Sequence, residues 1–76
     1  MNIGDRIKAT VDYDCKEITG KFGTIIGFSD CDEALVEFDE DINGHDGSCH
    51  EVSGINGKDG YCWYVGNKLL EPITEA

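Results

Sequence analysis

Apolar and polar residues alternate along several short segments of the chain. In residues 5–11, Ile7, Ala9 and Val11 fall on one face, and a period of two is typical of a half-buried strand. No stretch shows the i, i+3, i+4 apolar spacing of a substantial helix. The predicted strands are residues 5–11, 23–28, 34–38, 62–65 and 69–73. The pattern therefore predicts an all-β fold, and 76 residues suffice for a single domain, residues 1–76.

The later strands show which side chains should face the core. Residues 34–38 direct their even-numbered side chains inward, and Trp63 and Val65 share a face of the next strand. Of two adjacent rings on a strand, one belongs to the core and the other is half-exposed, so we expect Tyr64 to be half-exposed. Pro72 lacks an amide hydrogen, which suits an edge strand.

One connection is much longer than the others. Residues 39–61 contain five of the ten glycines, both histidines and Cys49. A loop of more than about 15 residues in so small a domain is usually functional or held in place by something. The sequence therefore places its candidate site in this loop.

Several short runs resemble known families. Gly-Asp-Arg-Ile at 4–7, Gly-Thr-Ile-Ile-Gly at 23–27 and Leu-Leu-Glu-Pro-Ile at 69–73 resemble an SH3-like barrel. The runs that resemble small proteins of bacteriophages and prophages are residues 36–40, 44–47 and 57–65. The resemblance implies a five-stranded SH3-like barrel of phage origin, from which residues 48–56 depart as an insertion. In size and charge the chain is also similar to the small acidic proteins with which phages block host enzymes and CRISPR nucleases.

The cysteines and histidines predict a metal site. Disulfides rarely persist in a reducing cytosol, where grouped Cys and His more often bind metal. Thiolate and imidazole are preferred zinc ligands, and a structural zinc would stabilise a domain with a small core. The candidate ligands for about one structural Zn²⁺ per chain are His45, Cys49, Cys62, Cys15 and His50. In a meander, Cys31 lies at the opposite end from this loop.

Other interpretations of these residues stay open. The cysteines are also explained as small apolar residues and the histidines as surface residues. A disulfide between Cys49 and Cys62, formed after extraction, is a further alternative. A cysteine beside a histidine can act as a nucleophile with its base, but 76 residues rarely supply the orienting group and cleft that catalysis needs, so we expect no enzyme.

Charge is the strongest compositional feature. Sixteen acidic against six basic residues give a formal charge of −10, which opposes binding to nucleic acid and favours a protein partner with a basic surface. The proposed contact residues are Asp30, Asp32, Glu33, Glu37, Asp39, Glu40 and Asp41, with Tyr61 and Tyr64 as apolar anchors. A solvated face that maintains solubility explains the same acidic run.

Location and function follow as expectations. No basic-then-apolar leader and no apolar run of about 18 residues is present, so we expect a protein of the infected bacterial cytoplasm that neither crosses nor binds a membrane. The leading hypothesis is an inhibitor of a basic, nucleic-acid-handling protein, which includes an anti-CRISPR role. The alternatives are a structural or accessory phage protein whose zinc only stabilises the fold, and a nucleic-acid-binding SH3-like module.

Overall fold

The computed structural model describes residues 2–13, 15–29, 32–46 and 57–73. Within these ranges the chain forms five strands and one short 3-10 turn, which confirms the predicted all-β fold. The elements are β1 (Arg6–Ala9), β2 (Phe22–Phe28), β3 (Glu33–Phe38), β4 (Cys62–Gly66), the 3-10 turn (Asn67–Leu69) and β5 (Leu70–Pro72). No helix in this part of the chain has the length and apolarity needed to cross a membrane.

The strands make one antiparallel sheet in the order β4-β3-β2-β1-β5. The register pairs Ile25 with Val36, and Val36 in turn with Trp63, so the middle strands align their core side chains. A register shift at Ile25/Gly27 marks an irregularity in β2. Strand β1 ends two residues earlier than predicted, and Val11, expected on the core face, lies beyond it and is 43% exposed.

The main core lies on one face of the sheet. As predicted, Val36, Phe38 and Val65 are buried there, because alternate side chains of a strand point to the same side. The other buried members are Ile7, Ala9, Ile18, Ile25, Ala34, Ile42 and Leu70. Ile18 and Ile42 come from connections, so the loops complete a core that five short strands cannot fill alone.

A second, smaller cluster is buried on the opposite face. Leu35, Cys62 and Tyr64 are 0%, 0% and 6% exposed, and Ile26 packs against them. The expectation that Tyr64 is half-exposed is therefore wrong, because β3 and β4 are buried on both faces at this point. Trp63 is the half-buried ring of the pair.

The link between β4 and β5 requires the sheet to curl. The two strands form opposite edges, which in a flat sheet of five strands lie about 19 Å apart, since neighbouring strands are about 4.8 Å apart. From Gly66 to Leu70 the chain makes four Cα steps, which reach at most about 15 Å when fully extended. The 3-10 turn covers about 2 Å per residue, so the actual reach is shorter. Val65 and Leu70 accordingly share the main core.

Strand β5 borders solvent with few free donors. Its register pairs Glu71 with Lys8, so Leu70 and Pro72 direct their backbone groups away from β1. The Leu70 amide already donates to the Asn67 carbonyl, and Pro72 has no amide hydrogen. The prediction that Pro72 occupies an edge strand is confirmed.

Candidate functional site

Two backbone hydrogen bonds join His45 of the long loop to Cys62, the first residue of β4. The His45 amide donates to the Cys62 carbonyl and the Cys62 amide to the His45 carbonyl, both at 3.0 Å. The Gly57 amide donates to the Asp46 carbonyl at 2.8 Å. These bonds place two of the predicted zinc ligands, His45 and Cys62, directly opposite each other on adjacent backbone segments. Two more of them, Cys49 and His50, lie outside the described residues.

Cys62 has a buried thiol in an acidic environment. Its Sγ lies 3.6 Å from the Lys58 carbonyl oxygen, to which it donates. Burial, followed by the negative charges of Glu37, Asp46 and Asp59, raises the pKa of the Cys62 thiol to about 11. Without a metal this group is a protonated thiol, whereas a bound cation would reverse that preference.

Gly57 allows the returning loop to pack closely over this thiol. A Cβ at position 57 would lie only 2.8 Å from both the Glu37 Oε2 atom and the Ile26 Cδ1 atom, and closer still to the Cys62 Sγ atom. The absence of a side chain at Gly57 therefore brings backbone against the second cluster, where the carboxylate of Glu37 accepts a hydrogen bond from the Lys58 amide at 2.9 Å.

His45 contacts aromatic rings at the edge of β4. Its imidazole centroid lies 5.1 Å from that of Trp63 and 5.6 Å from that of Tyr64. Lys16 reaches the same indole from the first loop, with its Nζ 4.6 Å from the Trp63 ring, and the Trp63 Nε1 donates to the Tyr13 carbonyl. Trp63 thus joins the first loop to the beginning of the long loop.

Cys15 belongs to the first loop, whose Lys16 contacts Trp63 and donates to the Asn43 carbonyl at 2.9 Å. It is exposed, adopts a left-handed backbone with φ of 64°, and sits in the turn between Tyr13 and Lys16. It lines an open groove of about 610 Å³ together with Asp12, Lys16, Glu17, Thr19, Lys21, Ile42 and Asn43. Its neighbours contact Trp63, whose side chain belongs with the main core, whereas Cys62 belongs to the second cluster.

The described residues therefore provide only part of the predicted zinc site. Across residues 2–13, 15–29, 32–46 and 57–73, no group of three or more His, Cys, Asp or Glu side chains is placed to hold a metal ion. The structure pairs the backbones of His45 and Cys62 and places Cys15 in an exposed turn of the first loop. Zinc stays a prediction that depends on residues of the 47–56 segment.

The predicted acidic face is partly neutralised. Asp39 forms two hydrogen bonds with the Arg6 guanidinium, at 2.7 and 2.5 Å, and Glu40 pairs with Lys21. The hydrogen bonds from Arg6 hold the pKa of Asp39 below its ordinary value. These cations come from distant positions, so the acidic run is not a uniformly negative surface.

The remaining predicted acids are bonded to neutral groups or exposed. Glu33 accepts from the Tyr13 hydroxyl at 2.7 Å, and Asp41 accepts from the Asn43 amide at 2.8 Å. Glu37 accepts from an amide, as described above, and Asp32 is exposed. Asp30 lies outside the described residues.

The two predicted anchors differ in accessibility. Tyr61 is half-buried, with the Lys58 Nζ 4.4 Å from its ring centroid. Tyr64 is 6% exposed and packs with Leu35 and Cys62, so it offers little area to a partner. Sequence reasoning missed Phe22, which opens β2 and is 45% exposed. Phe22 precedes the predicted strand 23–28, and the neighbouring turn residue Gly23 makes the sequence pattern favour a loop position for it.

Comparisons with protein-family models, with curated proteins and with solved structures find no match to this chain.

Proposed function

We propose that this chain is a small non-catalytic inhibitor that binds a basic, nucleic-acid-handling surface of a host or defence protein during phage infection, with CRISPR nucleases among the candidate targets. The observation that carries the proposal is the formal charge of −10 on 76 residues. A negative field of this strength accelerates association with a positive surface and opposes binding to phosphate backbones.

Two of the proposed contact residues are already paired with cations of the same chain. Arg6 and Lys21 already neutralise Asp39 and Glu40 within the chain, so those two carboxylates have less to gain from a partner. The proposed acids that bond to no lysine or arginine side chain in the described part of the chain are Asp32, Glu33, Glu37 and Asp41. Tyr61 is the aromatic group that we propose as an anchor among them.

A matched pair of double variants tests this surface. Glu37→Gln with Asp41→Asn removes two charges from the proposed contact, and Glu17→Gln with Asp5→Asn removes two charges elsewhere. A target captured from bacterial lysate should lose affinity and salt dependence with the first pair and retain most of both with the second. Equal losses would show that only net charge matters, and no loss with either pair would leave the acids as a solubility feature.

We also propose that the sheet belongs to an SH3-like barrel. The support is the strand order, the short link from Gly66 to Leu70 and the core that the two edge strands share through Val65 and Leu70. Backbone assignments and long-range contacts from NMR would test the closure. Contacts between β4 and β5 on both sides of the 3-10 turn are expected, and their absence would leave an open, curled sheet.

A structural zinc is the second part of the proposal. His45 and Cys62 would supply two ligands, Cys49 a third, and either Cys15 or His50 the fourth. The ion would link the long loop to β4, and its thiolate ligands would balance its positive charge. Protein purified without chelator should contain about one zinc per chain and should melt at a lower temperature after chelation. A melting temperature that does not change after chelation would contradict the proposal of a structural zinc.

An accessory phage protein is the alternative that the loop favours. The paired backbones of His45 and Cys62 and the bond from Gly57 to Asp46 suit a loop held for shape alone. Assembly beyond two chains and the absence of any captured target would support this alternative. Nucleic acid that copurifies with the chain would instead support the nucleic-acid-binding module, which the charge opposes.

A further inference from the structure

Phe22 is an exposed aromatic ring on a strand. It is 45% exposed at the first position of β2, where the register pairs it with Lys8 of β1. The Lys8 Nζ lies 5.8 Å from the ring centroid, and the Asp39 amide donates to the Phe22 carbonyl at 3.0 Å. Covering a large apolar side chain at such a position with another surface is favourable, because its apolar area is removed from water.

The charges around Phe22 balance. Arg6 pairs with Asp39, and the register places Lys8 opposite Glu71. We call this surface, formed by Phe22 and these two pairs, the Phe22 patch. It holds two of the chain's six basic residues and two of its sixteen acidic residues, so its net charge is zero while the whole chain carries −10.

We propose that the Phe22 patch binds a second copy of this chain. Two copies of charge −10 repel each other through the rest of their surfaces, but not where positive and negative groups are equal in number. A twofold axis near Phe22 lets each cation of one copy face an anion of the other, which is the self-complementarity that an isologous dimer requires. The basic partner of the proposed function gains nothing from a neutral patch, so the two inferences are independent.

The expected dimer is weak and depends on salt in a characteristic direction. One aromatic anchor with exposed ion pairs around it supports modest affinity, because exposed pairs contribute little. Long-range repulsion between two chains of −10 falls as the Debye length shrinks, from about 20 Å at 20 mM to about 8 Å at 150 mM salt. Association should therefore strengthen over this range, opposite to the behaviour of an acidic surface on a basic partner.

Sedimentation equilibrium of the whole chain, from about 20 μM to about 1 mM at 150 mM salt, tests the proposal. The wild type should show reversible dimers, and Phe22→Thr should raise the dissociation constant about 10-fold or more. Val11→Thr is the matched control, because Val11 is 43% exposed outside the patch, and it should change the constant less than about 2-fold.

A charge swap tests the electrostatic part. Arg6→Glu should weaken the dimer, and adding Asp39→Arg should restore it, because the patch is again neutral. A chain that stays monomeric at 1 mM would overturn the proposal. A dimer that Phe22→Thr leaves intact, or one that weakens when salt rises, would also overturn it, because the interface would then lie elsewhere on the chain.

Discussion

The thiol of Cys62 should be unreactive in the metal-free folded protein. Its pKa of about 11 lies three units above pH 8, so about one thiol in a thousand is ionised there. At the ordinary value of 9.0, about one in ten would be ionised. Because the thiolate is the nucleophile, alkylation at pH 8 should be about 100-fold slower than for an ordinary thiol, before the 0% exposure of the side chain slows it further.

Pulsed alkylation of the wild-type chain with iodoacetamide, followed by peptide mass spectrometry, measures this difference. Cys15 is the internal control, since it is exposed and should react at a similar rate in folded and denatured protein. The measurement is made with and without a chelator, so that protection by a metal is separated from protection by burial. Cys62 should stay slow after chelation and should react about tenfold faster with each pH unit up to about 11.

Two results would refute this reasoning. If folded Cys62 reacts within threefold of its rate in denaturant, the second cluster does not bury the thiol. If it becomes fast only after chelation, the metal and not the packing protects it. The raised pKa also fixes the sign of the pH dependence: the stability that comes from the neutral thiol is complete below about 9 and is lost as the pH rises towards 11.

Three further predictions concern packing and charge. Gly57→Ala should lower the free energy of unfolding, measured by urea titration, by about 1–3 kcal/mol. Gly66→Ala is the control and should cost less, because the atom nearest to the new Cβ would be 3.5 Å away. Equal costs would contradict the close packing at Gly57. Because Arg6 lowers the pKa of Asp39, the stability from that pair is present above the ordinary carboxyl pKa and is lost as the pH falls; Asp39→Asn should flatten the acid limb of the stability curve and cost under about 1 kcal/mol. Asp12→Ala removes the acceptor of two amides and one hydroxyl, so hydrogen exchange at Ile18 and Thr19 should accelerate, and unchanged exchange would show that the loop holds without it.

The strands could be predicted because alternation reports one buried face well. Val36, Phe38 and Val65 follow a strict period of two and lie in the main core. The second buried face could not be derived in this way, because the pattern directs Leu35 and Tyr64 outward. The uninterrupted apolar run at residues 34–36 was the available signal, since strands buried on both faces lose their alternation.

Only those features of the candidate site that depend on residues close together in the sequence could be predicted. Residues 30–41 contain no lysine or arginine, so they look uniformly acidic in sequence. Folding brings Arg6 from 33 positions away and Lys21 from 19 positions away to Asp39 and Glu40. Such pairing depends on strand register, which local sequence does not contain. The backbone pairing brings His45 and Cys62, two of the predicted ligands, together, whereas the position of Cys15 depends on how its own loop packs.

The outer edge of β5 has a consequence for how the protein behaves when crowded. A strand from another molecule pairs with a sheet edge by forming hydrogen bonds to its unpaired amides and carbonyls. At the outer edge of β5 the Leu70 amide is already hydrogen-bonded, and Pro72 has no amide hydrogen. Among the described residues of β5, this edge therefore offers acceptors without matching donors. Fibrils grow when strands of further molecules add to a sheet edge, and this edge lacks the donors that such pairing needs. Crowding should therefore leave the edge of β5 unextended.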